Sequence, residues 1–417
     1  MGNDDYVASK EVIVNVKTTK EAETPELSSA DVKRGDTSLK VTKQFDTDKY
    51  GQVEYELTDG HGNVIKGWQA NSEFTGLTPD TEYTISVRYK GNDEYLESNK
   101  ASVTVKTKKT AEPQVSVDNI YGSSDSFTIK DNPDTSKDNP DTSYGNVSYE
   151  ITDNQGKPIK NGQKQANGDF SGLDLEDGVI YQVHVSYDGN DEYASTEKVI
   201  KIMKAPTVTI ASKNANSLKV ADLADTDKYG QAEYARSPSG LTANATSSTF
   251  NNLEAETAYV VYARYKGNGY YPPSAIGQTK VETSEASYQL RIPPVLRAGS
   301  DVGEVGVNPS TFNIGTSDSV RISIVGGVSH GKVTLTRQND PTYQKLKTRV
   351  LLNDVEVDNG DSDEINVIDY DKNNYQQQTS LKFTDPRDNK EDNPRTPAGF
   401  YTGAIDFKIT YNKEGNK

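Results

Sequence analysis

Residues 74–89 read FTGLTPDTEYTISVRY, and this stretch decides the fold of the chain. From Tyr83 to Tyr89 every second residue is apolar or aromatic, while the residues between them are polar. Successive side chains of a β-strand point to opposite faces, so this alternation predicts a strand with one buried face. The strand continues into YKGNDEY at residues 89–95, whose Gly-Asn pair predicts a turn into another strand.

Two sequence blocks recur along the chain, one in the turn just described and one upstream of it. YKGNDEY returns as YDGNDEY at 187–193 and as YKGNGYY at 265–271. DTDKYGQVEY at 46–55 returns as DTDKYGQAEY at 225–234 and, shortened, as DTSYGNVSY at 141–149. The glycines of the second block are 94 and 85 residues apart. Solenoid repeats have periods of about 20–50 residues, so each copy here is predicted to bury its own core as a small β-sandwich.

The corner before the alternating strand carries a family resemblance. LTPDTEY at residues 77–83 resembles the corner before strand F of fibronectin type III domains. In that family a Tyr hydrogen-bonds the chain upstream and closes a Greek-key sandwich. The resemblance covers roughly residues 28–283, although only the first copy keeps the Pro and no copy has the family's usual core Trp on strand B. It implies corner tyrosines at Tyr83, Tyr181 and Tyr259.

The repeat stops at about residue 284, and alternating runs such as 405–411 predict strands of a different unit. The predicted fold class is therefore all-β, with tandem Ig-like or fibronectin-type-III-like β-sandwich modules plus a distinct C-terminal β-sandwich. The predicted boundaries are 1–27 for the terminal strand of a preceding repeat and its linker, 28–109, 110–204 and 205–284 for repeats 1 to 3, and 285–417 for the C-terminal domain.

The first residues of the chain match the end of the first repeat. GNDDY at 2–6 and VIVNVKT at 12–18 correspond to GNDEY at 91–95 and SVTVKT at 102–107. We therefore expect this segment to be the last strand of a preceding repeat, with at least one more copy upstream in the natural protein.

Composition narrows the class of protein. The 417 residues include no Cys and carry a net charge of -16. An acidic surface repels phosphate backbones, and no run of about 18 apolar residues occurs, so we expect neither a nucleic-acid partner nor membrane insertion. Cys-free extracellular β-arrays are typical of Gram-positive bacteria. With its recurring blocks, the chain resembles the tandem-repeat adhesin stalks of those cell-surface proteins, and the resemblance implies an extracellular location.

No motif for catalysis or for cofactor binding is present. The three His have no metal-ligand spacing, and no nucleophile or phosphate-binding signature occurs. Glu54 and Glu233 recur at the same position of their copies, which indicates a structural carboxylate. We therefore expect no catalytic residue, no cofactor and no enzyme activity.

Calcium is the metal that the sequence suggests. Asp46 and Asp48, like Asp225 and Asp227, form an Asp-x-Asp before Tyr-Gly. Such loops can supply the carboxylate oxygens that calcium prefers, although they do not match an EF-hand. The favoured alternative is a solvated acidic turn.

Tyrosines flank the recurring turn in all three copies. Tyr combines an apolar face with a polar tip, which suits core and junction packing as well as ligand stacking. Packing is the favoured interpretation, and a ligand platform at Tyr270 and Tyr271 is the alternative.

These observations favour a non-catalytic structural stalk that projects a functional domain from the cell as an elongated monomer. Two alternatives use the same modules. The chain can be an adhesin that binds a host glycan or matrix protein through its C-terminal domain, or the accessory part of a large secreted glycosidase.

Overall fold

The computed structural model describes residues 4, 10–130, 142–241, 245–360, 362 and 364–413. These residues confirm the all-β prediction, and no helix among them is long and apolar enough to cross a membrane. Contacts divide the chain into two compact units. Unit 1 is Met1–Ile120 with Asp125–Ile202, and unit 2 is Tyr121–Ser124 with Met203–Lys417.

The first repeat is a sandwich of a three-stranded and a four-stranded sheet. Its strands are β1 (Lys20–Glu21), β2 (Val32–Arg34), β3 (Ser38–Val41), β4 (Val53–Asp59), β5 (Val64–Gln69), β6 (Glu73–Thr75), β7 (Glu82–Tyr89), β8 (Tyr95–Leu96) and β9 (Ala101–Lys106), and its helices are a 3₁₀ turn (Ser29–Asp31) and α1 (Thr47–Tyr50). The strand orders are β2-β3-β6 and β5-β4-β7-β9, which is a fibronectin-III-like pairing. Strand β7 carries the predicted alternation, and its Ile85 and Val87 are fully buried.

The second and third repeats each consist of two three-stranded sheets. In repeat 2 the elements are a 3₁₀ turn (Val117–Asn119), β10 (Ile120–Gly122), β11 (Phe127–Ile129), a 3₁₀ turn (Thr142–Tyr144), β12 (Val147–Asp153), β13 (Asp169–Phe170), β14 (Ile180–Tyr187) and β15 (Thr196–Met203). In repeat 3 they are β16 (Ile210–Lys213), β17 (Ser217–Val220), α2 (Thr226–Tyr229), β18 (Ala232–Ala235), a 3₁₀ turn (Pro238–Gly240), β19 (Thr249–Asn251), β20 (Ala258–Tyr265) and β21 (Gly277–Glu282). In repeat 2 the counterpart of β5 makes only isolated bridges, one of them at Pro158, which has no N–H to give to a ladder.

The C-terminal domain is a β-sandwich with a different pairing. Its strands are β22 (Leu290–Arg291), β23 (Gly303–Val307), β24 (Ser319–Gly326), β25 (Val328–Ser329), β26 (Lys332–Arg337), β27 (Leu346–Leu352), β28 (Val355–Glu356), β29 (Ile365–Tyr370), β30 (Thr379–Phe383), β31 (Tyr401–Thr402) and β32 (Asp406–Asn412). One sheet has eight strands and the other has the order β29-β24-β32. Its core includes Ile322, Val350 and Tyr370, which are fully buried.

The strand predicted within residues 1–27 is not formed where it was expected. Its turn, GNDDY, lies outside the described residues apart from Asp4. Residues 10–19 are described and form no strand, and Val12, Val14 and Val16 are 74–82% exposed. The interpretation of residues 1–27 as the end of a preceding repeat stays a prediction.

Candidate functional site

The corner tyrosines tie one end of each repeat together. In every repeat the Tyr hydroxyl accepts a hydrogen bond from the backbone N–H five residues upstream. The bonds run from Thr78 N to Tyr83 Oη at 3.1 Å, from Glu176 N to Tyr181 Oη at 2.8 Å and from Glu254 N to Tyr259 Oη at 2.9 Å. This bond is the one that the family resemblance implies, and it fixes a corner loop at the start of the long central strand.

The two recurring sequence blocks meet at the opposite end of each repeat, which we call the turn pole. A Cβ on Gly51, Gly145 or Gly230 would lie 2.1–2.3 Å from a carbonyl oxygen of the facing turn. These glycines also have φ of 83–97°, so two independent constraints require Gly there. The contact explains why both blocks recur together.

Three tyrosines cluster at each turn pole. The helical tyrosine of the second block packs between the two tyrosines that flank the turn, at ring-centroid distances of 4.8–5.4 Å. The clusters are Tyr50 with Tyr89 and Tyr95, Tyr144 with Tyr187 and Tyr193, and Tyr229 with Tyr265 and Tyr271. Sequence reasoning missed Tyr50, Tyr144 and Tyr229, although all three stand before the recurring Gly.

The two tyrosines of the candidate ligand platform, Tyr270 and Tyr271, lie in different environments. Tyr271 packs against Tyr229 with an edge-on geometry at 5.2 Å. Tyr270 is 91% exposed and replaces the glutamates Glu94 and Glu192 of the other two turns. Only Tyr270 therefore offers a free ring, and a ligand platform at this turn stays a prediction.

The acidic loops proposed for calcium lie at the N-terminal ends of the short helices α1 and α2. Asp46 Oδ1 accepts a hydrogen bond from Lys49 N at 3.1 Å and so caps α1. Asp225 sits at the start of α2 with φ 55° and makes no such bond, while Asp48 and Asp227 lie in the first turns. Across the described ranges no three His, Cys, Asp or Glu side chains converge as a metal site. Calcium binding stays a prediction for these loops.

The recurring glutamates form ion pairs within their own repeats. Glu233 is 2% exposed and accepts a hydrogen bond from Arg264 Nε at 2.8 Å. Glu54 meets Arg88 at 3.2 Å, and the Arg88 guanidinium lies over Trp68 at 4.2 Å. A buried carboxylate that is paired with an Arg has its charge compensated, as a structural position requires.

Within unit 1, the joint between repeats 1 and 2 leaves no free linker residue. Lys108 belongs to repeat 1, because its N–H donates to Gly35 O at 2.8 Å and its carbonyl accepts from Asp80 N at 3.2 Å. The next residue, Lys109, belongs to repeat 2, where its N–H donates to Glu192 O and its carbonyl accepts from Ala194 N, both at 2.9 Å. We call this arrangement the first joint.

Basic side chains reinforce the first joint. Arg34 donates to Lys106 O at 3.2 Å in its own repeat and to Asp191 O at 2.7 Å in the next. Lys109 forms an ion pair with Glu192. Lys108 Nζ also donates to Asn190 O at 2.5 Å. The recurring turn of repeat 2 thus receives three cations, Arg34, Lys108 and Lys109, which sequence reasoning did not assign.

An open cleft of about 550 Å³ lies beside the first joint. One wall is the corner loop of repeat 1, another is the segment 109–114 at the start of repeat 2, and a third is the tyrosine cluster of repeat 2. The lining residues are Pro79, Asp80, Lys109, Thr110, Ala111, Glu112, Gln114, Tyr144 and Tyr193.

Within unit 2, repeat 3 joins the C-terminal domain by a second joint. Ser284 belongs to repeat 3, because its N–H donates to Asn214 O at 3.1 Å and its carbonyl accepts from Glu256 N at 3.3 Å. Ser287 belongs to the C-terminal domain, where it exchanges two backbone hydrogen bonds of 2.7 and 2.8 Å with Asn313. Two residues separate these anchors.

The corner loop of repeat 3 is covered by the C-terminal domain. Thr316 N donates to Leu253 O at 2.9 Å, and Ser317 donates from both N and Oγ to the Glu254 carboxylate at 3.2 and 2.8 Å. A Cβ on Gly315 would lie 2.8 Å from Ala255 N, so the two surfaces are in close contact there.

Comparisons with known proteins add little to this picture. No family model and no curated protein matches the chain. A solved structure of the chicken CNTN1 FN1–FN3 domains is 16% identical, covers 63% of this chain and 99% of that chain, and has a TM-score of 0.18. A score of that size carries no argument, so the fibronectin-III-like fold rests on the strand pairing described above.

Proposed function

We propose that this chain is a non-catalytic spacer of a secreted bacterial surface protein, in which tandem sandwiches hold a functional domain away from the cell. The observation that carries the proposal is the first joint, where Lys108 is bonded to one repeat and Lys109 to the next. A spacer needs joints that transmit direction, and a joint without free residues loses little further entropy when it is held straight.

Three further properties support an extracellular, non-enzymatic role. The chain contains no Cys and has a net charge of -16, which suits a soluble surface array. The conspicuous buried carboxylate, Glu233, is paired with Arg264. Fibronectin-III-like sandwiches are structural or adhesion-type modules in general, and function in such folds depends on sites added to them.

An adhesin role for the C-terminal domain is the second candidate. Phe400 is 83% exposed and Val355 is 65% exposed in that domain. Large exposed apolar side chains are common at protein-binding surfaces, although single ones also occur without a function. A matrix-protein or glycan screen with the full chain and its Phe400→Ser variant tests this role. Binding that Phe400→Ser abolishes supports it, and the absence of any binding to the wild type refutes it.

The spacer proposal is tested by distance measurements across the first joint. Because the chain has no Cys, cysteines introduced at the exposed positions Lys66 and Lys160 carry the only two spin labels. We expect a single narrow distance distribution by pulsed electron paramagnetic resonance. Inserting Gly-Gly-Ser-Gly between Lys108 and Lys109 should broaden it several-fold, because the insert behaves as a flexible chain.

The matched control places the same insert between Ala70 and Asn71, in the exposed turn between β5 and β6. This variant should keep the narrow distribution, since neither anchor residue of the first joint changes. A wild-type distribution as broad as that of the joint insertion would refute a direction-holding spacer.

A further inference from the structure

We infer that the cleft beside the first joint is a binding site for a short, uncharged oligosaccharide. The inference goes beyond the spacer role, because a spacer requires a stiff joint but no open cavity. The cleft volume of about 550 Å³ falls within the roughly 300–1,000 Å³ of small-ligand sites. Its walls come from repeat 1 and from repeat 2, so the site exists only when both repeats are folded and joined.

The aromatic part of the cleft suits a sugar ring. Tyr144 and Tyr193 both line it, with ring centroids 4.8 Å apart and an interplanar angle of 81°. Both rings are half-buried, and their cluster contacts hold them in place. Lys109 Nζ lies over the Tyr193 ring, 5.5 Å from its centroid. The ring carbons that line the cleft offer apolar contact to the C–H side of a sugar, while the Tyr hydroxyls can bond the sugar's hydroxyls. Pro79 and Ala111 extend the apolar surface.

The charges of the cleft favour a neutral ligand. Each charged residue that lines it already has a partner of opposite charge. The pairs are Asp80 with Lys106 at 2.6 Å, Glu112 with Lys198 at 3.9 Å and Lys109 with Glu192. None of the charged residues that line the cleft therefore presents an unpaired charge to a ligand.

Polar groups remain at the rim to fix orientation. Thr110 and Gln114 line the cleft. The Thr110 hydroxyl donates to Asp36 Oδ2 at 3.4 Å and keeps its acceptor lone pairs, as do the paired carboxylates. Gln114 Nε2 donates to Glu112 O at 2.9 Å, which leaves the other amide hydrogen and the amide oxygen to face a ligand. Aromatic faces with hydroxyl, amide and carboxylate groups around them form a surface complementary to a hydroxyl-rich, uncharged ring.

The test measures binding of the full chain to a panel of uncharged di- and trisaccharides and to the same glycans carrying sialic acid. Saturation-transfer NMR detects weak binding and isothermal titration ranks it. We expect saturable binding of at least one neutral glycan and weaker binding of its sialylated form. Tyr144→Ala should weaken that binding by about two- to tenfold, the range that aromatic contacts of this kind contribute. Gln114→Ala should weaken it by a smaller factor.

The control is Tyr229→Ala, which removes the corresponding ring from the cluster of repeat 3. It should leave the affinity unchanged, and circular dichroism should show both variants folded. If Tyr144→Ala perturbs folding, Tyr144→Phe and Gln114→Ala replace it, because both leave the cluster's rings in place. The inference is overturned if no neutral glycan binds, if only charged glycans bind, or if binding depends on Tyr229 and not on Tyr144 and Gln114. None of these outcomes affects the distance test of the spacer, which needs no ligand.

Discussion

The first and second joints both lie beside the corner loop of a repeat. The next domain is repeat 2 in the first joint and the C-terminal domain in the second. Asp80 and Glu256 occupy corresponding positions, and both have a left-handed φ of about 50°. Each donates its N–H to the last residue anchored to its own repeat. In the first joint the next residue already belongs to the following sandwich, whereas the second joint has two residues between its anchors.

The difference lies in how each joint is closed. The first joint has no slack in the backbone, but it leaves a cleft next to its corner loop. The second joint has more backbone between its anchors, but the loop around Gly315 covers the corner. Stiffness therefore comes from the main chain in one joint and from surface contact in the other. The first arrangement leaves room for a ligand at the same time.

The largest loss of stability is expected from a larger side chain at Gly315, in the second joint. In Gly315→Val the new side chain would meet Asp318 Oδ2 at 2.3 Å from its Cβ, as well as Ala255 N. We expect a loss of about 1–3 kcal/mol in the free energy of unfolding of the C-terminal domain, as in other overpacked sites. Spin labels at Lys280 and Lys345 should also show a broader distance distribution.

Gly269→Val is the matched control for this change. A Cβ there would meet nothing within 4 Å, and its φ is not left-handed. The control should change neither stability nor distance. If Gly315→Val behaves in the same way, the two surfaces are not in close contact and the comparison fails.

A smaller effect is expected from Arg34→Ala in the first joint. The change removes the hydrogen bonds to Lys106 O and Asp191 O. The expected cost is about 1 kcal/mol, because the side chain is half-buried and water can replace part of the interaction. Urea unfolding and the Lys66–Lys160 distance distribution measure it. Lys33→Ala, on the exposed side of the same strand, should cost nothing measurable, and equal effects of both variants would contradict the assigned contact.

Acid is expected to weaken the corner loop of repeat 1 slightly. The hydrogen bond from Lys106, with the attraction of its charge, lowers the pKa of Asp80 below its usual value. A carboxyl with a lowered folded-state pKa stabilises the fold above its unfolded pKa, and this contribution is lost as the pH falls through the folded-state pKa. NMR titration of the Asp80 carboxyl should give a midpoint below 3.8, and Lys106→Ala should raise it toward that value. A midpoint unmoved by Lys106→Ala would disprove the pairing.

The smallest effect concerns the acidic loops at the turn poles, which belong to neither joint. If Asp46 and Asp225 are solvated helix ends, excess EDTA should leave the melting temperature of the full chain unchanged. A drop that added calcium reverses, and that Asp48→Asn with Asp227→Asn abolishes, would establish calcium sites there instead.

Sequence patterns predicted the fold because its determinants are local. The alternation from Tyr83 to Tyr89 fixes the buried face of β7, and the spacing from Leu77 to Tyr83 marks the corner that the Tyr83 hydroxyl closes. The Gly51 and Gly91 blocks were visible as repeats. Their backbone contact was not, because nothing in either block alone says that the two must meet.

The joints were harder to predict. The division between Lys108 and Lys109 depends on which sandwich binds each backbone group, and the sequence around these two residues does not show that. The contact of Arg34 with Asp191 joins residues 157 positions apart. Such pairs follow from how two folded domains are placed, and no periodic pattern within either domain encodes that placement.

The adjacency of Lys108 and Lys109 has a mechanical consequence. When tension acts along unit 1, load passes from the last strand of repeat 1 to the first paired residue of repeat 2 through a single peptide bond. No flexible segment lies between Lys108 and Lys109 that could extend before the folded repeats take up the load. The hydrogen bonds that Lys109 makes with the Gly-Asn turn therefore bear the force from its onset, and the sandwich itself is the next element that can yield.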